Sequence, residues 1–285
     1  HHPSGYSITF DTDNDYWGKC VLNNAIYDYC DYAIKDGISL PPNNLDIANK
    51  KSDDLTSSAP LLNNHINWSL VYAYPNFWGV IGQIYAYDLF GSAYPDLILR
   101  YENDKTKYNK ITSIVWHELT HVSQVKRMIS EKGLLWASDY WSANVYQQAS
   151  NTFKDYDSDG KKDGNPYGNY GDERWQQIAL SEGWANFRTW KMAQQHLNGY
   201  DIYPVQEYNN NGVVYYWQPT FDDYKGISLA RYYGGMFKRL YDIGCSYKNL
   251  EYSLSAYSIS DYKVKLISHH PNLNNQITTI IKTYE

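Results

Sequence analysis

Apolar residues between Ile111 and Met128 recur at helical spacing, and the face they define carries two histidines. Ile111, Ile114, Val115, Leu119, Val122, Val125 and Met128 fall mostly three or four residues apart, the pattern of an amphipathic helix whose stripe faces a core. His117 and His121 belong to that inward side, with Glu118 between them in the order H-E-x-x-H. Residues four apart are neighbours on a helix surface, so both rings can reach one metal ion. Glu118 projects from nearly the same side and can act as base toward a water on that metal. The plain alternative is a pair of hydrogen-bonded core histidines with Glu118 in a helix ion pair. It buries three polar side chains together, which is costly unless something pairs them.

A catalytic zinc takes three protein ligands and keeps one position open for water. A third histidine six residues after the second is absent, since Gln124 and Arg127 occupy the positions of H-E-x-x-H-x-x-G-x-x-H. The candidate is instead Glu182, in Ser181-Glu182-Gly183-Trp184-Ala185-Asn186-Phe187. Trp175, Ile178, Ala185, Thr189 and Met192 surround it at helical spacing, which turns Glu182 inward. An inward carboxylate needs a cation, and a metal held by two neutral imidazoles supplies one. The alternative for Glu182 is an ion pair with Arg174 or Arg188.

His117-Glu118-Leu119-Thr120-His121 resembles the zinc-binding helix of gluzincin metallopeptidases, the group that includes thermolysin. Ser181 to Phe187 resembles the second-ligand helix of aminopeptidase-type gluzincins, roughly N-E-G-F-A-x-Y. The resemblance implies zinc on His117, His121 and Glu182, with Glu118 as general base. It also implies an oxyanion donor from a helix after the third ligand; Tyr233, in Arg231-Tyr232-Tyr233, is the candidate. Asn186, one turn after Glu182, could hold the second nitrogen of a histidine ligand. The match covers two short helices. Glu182 follows His121 by 61 residues (182 − 121), longer than in thermolysin or the aminopeptidases. The G-x-M-E-N segment of the aminopeptidases is missing, so aminopeptidase activity is not carried over. The chain also resembles zinc-peptidase-like surface proteins of gut Bacteroidetes.

Asp155, Asp157, Asp159, Gly160, Lys161 and Asp163 spell D-x-D-x-D-G-x-x-D. Calcium loops take oxygens at positions 1, 3, 5 and 9 and the backbone carbonyl at 7, here Lys161, with Gly at 6 for the turn. The bidentate Glu of position 12 is replaced by Pro166. Calcium at Asp155, Asp157, Asp159, Lys161 and Asp163 competes with a solvated acidic turn.

With 285 residues, 43% of them hydrophobic, the chain can bury a sizeable core. A net charge of −6 argues against nucleic acid or an anionic membrane as partner. No apolar run approaches the ~20 residues that span a bilayer. The 31 Tyr and 10 Trp are unusually many and suit an extracellular surface that binds peptides or sugars. Cys20, Cys30 and Cys245 allow at most one internal disulfide.

The expected fold is α+β: an N-terminal β-containing region over residues 1–103, packed on a mainly helical, zincin-like catalytic region over 104–285. Aromatic and β-branched runs at 68–74 and 80–87 suggest an antiparallel pair, and Leu97 to Tyr101 a strand along the cleft edge that pairs with substrate. A short helix is expected within 20–36, and longer ones near 105–131, 138–151, 172–197, 226–243 and 274–284. The expected function is hydrolysis of peptide bonds in a peptide or protein substrate, outside the cytoplasm, with any export signal beyond this chain. Two alternatives stand beside it. One is a non-catalytic surface module on a peptidase scaffold that binds glycans or peptides through its aromatic side chains. The other is a structural zinc closed by a fourth ligand such as His65 or His196.

Overall fold

The computed structural model describes residues 15–51, 59–60, 62, 65, 96–101, 108–152, 174–197, 207–210, 213–216 and 229–285. Helix α1 (Asp15–Asp36) forms on a stripe in which every fourth residue, Val21, Ala25, Tyr29 and Ala33, is buried. The two alanines let it lie close against helix α2 (Tyr108–Lys132). Two polar contacts fix the register: Trp116 Nε1 donates to the Ala25 carbonyl, and the Tyr29 hydroxyl donates to Ser123 Oγ, both at 3.0 Å.

Three short strands lie between these helices in sequence: β1 (Ile47–Lys51), β2 (Ala59–Pro60) and β3 (Leu97–Tyr101). They pair in the order β1-β3-β2, β1 parallel to β3 and β2 antiparallel to it. Leu97 and Leu99 point into the core, as alternate residues of a half-buried strand do.

Helix α2 is buried without interruption from Glu118 to Val125. A helix covered around its whole circumference stands at the centre of its fold, and α2 is contacted by α1, by α3 (Leu134–Thr152), by α4 (Trp175–His196) and by the strands. The turn from α2 into α3 needs Gly133, whose φ of +89° is left-handed and whose N–H closes on the Ile129 carbonyl at 2.9 Å. A two-stranded ribbon follows α4, β4 (Glu207–Asn210) against β5 (Val213–Tyr216).

The C-terminal part is helical: α5 (Leu229–Asp242), α6 (Tyr247–Tyr252), α7 (Ile259–His269), a short 3-10 turn (Pro271–Leu273) and α8 (Asn274–Lys282). Helices α4 and α5 make the most extensive pairing among the described elements. They touch at Gly183, where an added Cβ would lie 2.6 Å from Tyr233 Cβ. Rings fill the space around this crossing. Trp184 meets Phe237 edge-on at 5.5 Å, and Phe237 meets Tyr262 at 5.6 Å.

This corrects the expected α+β architecture. The described body is all-α: the helices form its layers, and the strand pieces, none longer than five residues, form no β layer of their own. The N-terminal region contributes α1, a 22-residue helix where only a short one is expected. Its i, i+4 stripe contains two alanines, so it gives a weaker signal than the leucine- and valine-rich stripe of α2. Strand β3 pairs with β1 along its whole length and with the two-residue β2 at Leu97 and Ile98. The runs at 68–74 and 80–87 lie outside the described residues. All three cysteines are free thiols. No helix among the described residues is long and apolar enough to cross a membrane.

Candidate metal centre

Helix α2 carries His117 and His121 on its surface toward α4, and α4 returns Glu182 against them. The Nε2 atoms of the two histidines are 3.2 Å apart. Glu182 Oε2 lies 3.2 Å from His117 Nε2, and Glu182 Oε1 lies 3.4 Å from His121 Nε2. Metal–nitrogen and metal–oxygen bonds of zinc run to about 2.0–2.2 Å, which sets the edge of a tetrahedral ligand cage near 3.3–3.6 Å. The observed separations are of that size. His117, His121 and Glu182 can therefore hold a metal ion. Among the described residues no fourth His, Cys, Asp or Glu joins them. His65 lies 3.5 Å from the buried Asp96, and His196 stacks on Tyr32 at 3.6 Å, so neither closes the sphere.

The hydrogen bonds around His121 select the tautomer that a metal needs. Ser181 donates its hydroxyl proton to Gln124 Oε1 at 2.8 Å. Its oxygen is 3.1 Å from His121 Nδ1 and can only accept there. The proton of a neutral His121 therefore sits on Nδ1, which leaves the Nε2 lone pair bare and facing His117 and Glu182. His117 Nδ1 is buried without a hydrogen-bond partner among the described residues.

Burial alone would push the Glu182 carboxyl up. When, without a metal, the imidazoles carry protons on Nε2, the charge of His121 and the hydrogen bonds from both rings outweigh it and hold the group well below the usual carboxylate range. Glu182 thus stays ionised, as a ligand must. Its other contact is Gln148 of α3, whose Nε2 donates to Oε1 at 3.1 Å. Neither arginine considered as its partner takes that role: Arg174 bonds Gln177 at 3.1 Å, and Arg188 pairs with Asp36 at 2.7 Å. Glu118 is buried on the same helix, and burial raises its carboxyl to about 7, with His117 opposing and Glu182 adding to the rise. A carboxyl poised there exchanges protons readily near neutral pH.

The structure brings His117, Glu118, His121 and Glu182 together and leaves two expected residues outside the group. Tyr233 is fully buried on α5, and its hydroxyl donates to the Tyr284 carbonyl at 3.3 Å. It is committed to the core beside Gly183 and is not presented as an oxyanion donor. Asn186 lies against α5, its Cβ 3.8 Å from where a Cβ of Gly234 would stand. Ser181 holds the histidine nitrogen in its place. The calcium-type residues Asp155, Asp157, Asp159, Lys161 and Asp163 lie outside the described residues. Ser181, Gln124, Gln148 and Trp141, whose ring is 5.5 Å from that of His121, are additions from the structure. Gln124 was within reach of helical phase, three residues after His121 on one face. Gln148 carries no signal in the sequence.

In comparisons with known proteins, the chain matches no family model, no curated protein and no solved structure.

Proposed function

We propose that this chain is a zinc-dependent hydrolase of peptide bonds, related in its chemistry to the gluzincin metallopeptidases. The observation that carries the reading is the convergence of three ligand atoms 3.2–3.4 Å apart, with Glu118 beside them on the same helix. Two imidazoles and one carboxylate form the donor set of a catalytic zinc, and the absence of a fourth described ligand fits an open site. When bound, zinc acidifies a water and polarises a carbonyl oxygen. Glu118 accepts the proton of the attacking water and returns it to the leaving amine. Glu182 and the two histidines hold the ion, and Ser181 keeps His121 in the binding tautomer. The same proposal takes a peptide or protein as substrate and sets the chain outside the cytoplasm, where calcium would be available to the Asp155–Asp163 sequence.

The binding-module alternative would use exposed rings: Tyr27, Tyr108 and Tyr257 are exposed, while Trp116, Trp184, Tyr29, Tyr140, Tyr233 and Tyr262 serve the core.

The test is metal content and turnover together. Protein dialysed against a weak chelator and reloaded should bind one zinc, and Glu182→Ala should lose it. Glu118→Gln should keep the zinc and lose cleavage of a peptide library. Wild-type protein that takes up no zinc would end the proposal, as would a Glu118→Gln variant that cleaves like wild type.

A further inference from the structure

Helix α3 contributes no metal ligand, yet one of its faces abuts the centre twice. Trp141 and Gln148 are seven residues apart, two turns along one side of the helix. The Trp141 ring lies 5.5 Å from the His121 ring, and Gln148 Nε2 donates to Glu182 Oε1 at 3.1 Å. The two contacts press on different ligands from the same direction. Trp141 is buried and Gln148 partly so.

The second contact bears on how Glu182 binds. A carboxylate can offer a metal one oxygen or both. Here Oε2 faces His117 Nε2 at 3.2 Å, while Oε1 faces His121 Nε2 at 3.4 Å and also receives the Gln148 amide. We infer that Gln148 is a positioning residue: its amide occupies Oε1, makes Glu182 a one-oxygen ligand and so keeps a coordination position free for water or substrate. The inference rests on the reading of this cluster as a catalytic metal centre.

The amide N–H takes up lone-pair density that a second metal–oxygen bond would use, and to a charged acceptor such a bond is among the stronger hydrogen bonds. It also fixes rotation about the terminal carboxylate torsion, which is otherwise broad. Without it, Glu182 is free to turn until both oxygens bind beside the water, which would make the ion five-coordinate and fill the position a substrate oxygen would take. Partners that orient ligands in this way commonly govern metal affinity by ~10- to 100-fold.

The test uses cobalt(II) as a spectroscopic stand-in for zinc in the full chain. Four-coordinate cobalt absorbs visible light several-fold more strongly than five-coordinate cobalt, so absorption reports the open position directly. Wild-type protein should give the intense four-coordinate spectrum. Gln148→Met, close in length but without a donor, should give the weaker five-coordinate spectrum and an affinity lower by ~10- to 100-fold. Gln148→Glu keeps the shape but removes the donor and sets a second carboxylate against Oε1, so it too should depart from the four-coordinate spectrum, while its added charge raises cobalt affinity. Circular dichroism on each variant checks that it folds; should Met disturb the fold, the Glu variant still tests the donor. A folded Gln148→Met or Gln148→Glu protein with the wild-type spectrum and affinity overturns the inference and leaves the metal centre standing. Wild-type protein that binds neither cobalt nor zinc removes the metal centre itself, and the inference with it.

Discussion

Replacing Gly183 with alanine should destabilise the protein, although alanine is the better helix former. Gly183 lies inside α4, so by propensity alone the change should stabilise the helix by about 1 kcal/mol. The crossing with α5 opposes this. A Cβ on residue 183 would stand 2.6 Å from Tyr233 Cβ, 3.0 Å from the Tyr233 carbonyl carbon and 3.1 Å from the Gly234 nitrogen. Carbon atoms in contact prefer about 3.5–4.0 Å. None of the three neighbours is the end of a flexible side chain, so α5 itself must move by roughly 1 Å. Overpacking of this kind costs about 1–3 kcal/mol. Here it also spreads to the Trp184–Phe237 contact, which belongs to the same crossing. With three contacts on Cβ and backbone atoms the cost belongs to the upper part of that range, about 2–3 kcal/mol, so the net expectation is a loss of about 1–2 kcal/mol, or a few degrees in the thermal midpoint for a chain of this size. Zinc affinity should fall as well, because Glu182 is the adjacent residue and shares the backbone that shifts. Gly234→Ala is the internal control. Its Cβ would lie 3.6 Å from the Gly183 carbonyl oxygen, an ordinary contact, so that variant should be neutral or gain up to about 1 kcal/mol. Thermal unfolding followed by circular dichroism on metal-free protein measures both changes, and calorimetric zinc titration measures the second effect. A Gly183→Ala midpoint equal to or above wild type would show that the two helices do not meet as described.

Ser181→Ala removes the acceptor that fixes the His121 tautomer and should weaken zinc binding ~10- to 100-fold while the protein stays folded; unchanged affinity by calorimetric titration would dismiss the tautomer argument. Glu251 is buried, accepts a hydrogen bond from the Ser39 backbone N–H at 3.0 Å and has its carboxyl raised to about 7 by burial, despite the nearby Arg188 and Arg127. It takes up a proton on folding in the window between the ordinary glutamate value of 4.5 and about 7. Its contribution to stability is therefore full below pH 4.5 and is lost as pH rises through 7, a change of about 3 kcal/mol. Urea midpoints of wild type and Glu251→Gln across that range should converge at the acid end and separate toward pH 7 in favour of the variant. A pH-independent difference would refute the assignment. Arg188 is fully buried, pairs with Asp36 at 2.7 Å and lies 4.4 Å from the Tyr247 ring. Arg188→Met should cost about 3 kcal/mol in urea unfolding, because Asp36 and Glu251 lose their cation. The double variant with Glu251→Gln should recover part of that loss, and strict additivity would show that the two side chains do not interact.

What the sequence discloses here depends on how many helices a relation has to cross. His117, Glu118 and His121 are legible because one helix turns a spacing of four into a separation of one turn, whatever the rest of the chain does. Glu182 needs two helices. Its inward phase is readable, but that it meets these histidines rather than Arg174 or Arg188 depends on how α4 lies on α2. The α2–α4 contact sets that, and so do the close α4–α5 crossing at Gly183 and the Ser181 bridge from His121 to Gln124. The all-α body was less legible than its individual helices. The apolar stripe of α1 is half alanine, and the strand-like segments around it invited a β layer, whereas the described strands form only a small three-stranded sheet and a two-stranded ribbon beside the helices. Tyr233 fails for the converse reason. Its type and its helix suited a catalytic donor, but a phenol at a tightly packed crossing spends its hydroxyl on the nearest carbonyl, here that of Tyr284. Gln148 lies 34 residues from Glu182 and has no motif around it. A glutamine of this kind becomes informative only when the α3 face is known to touch the same ion cage as α2 and α4. The same holds for Gly183, which reads in the sequence as a weak helix former and in the fold as the contact that keeps a ligand helix in place.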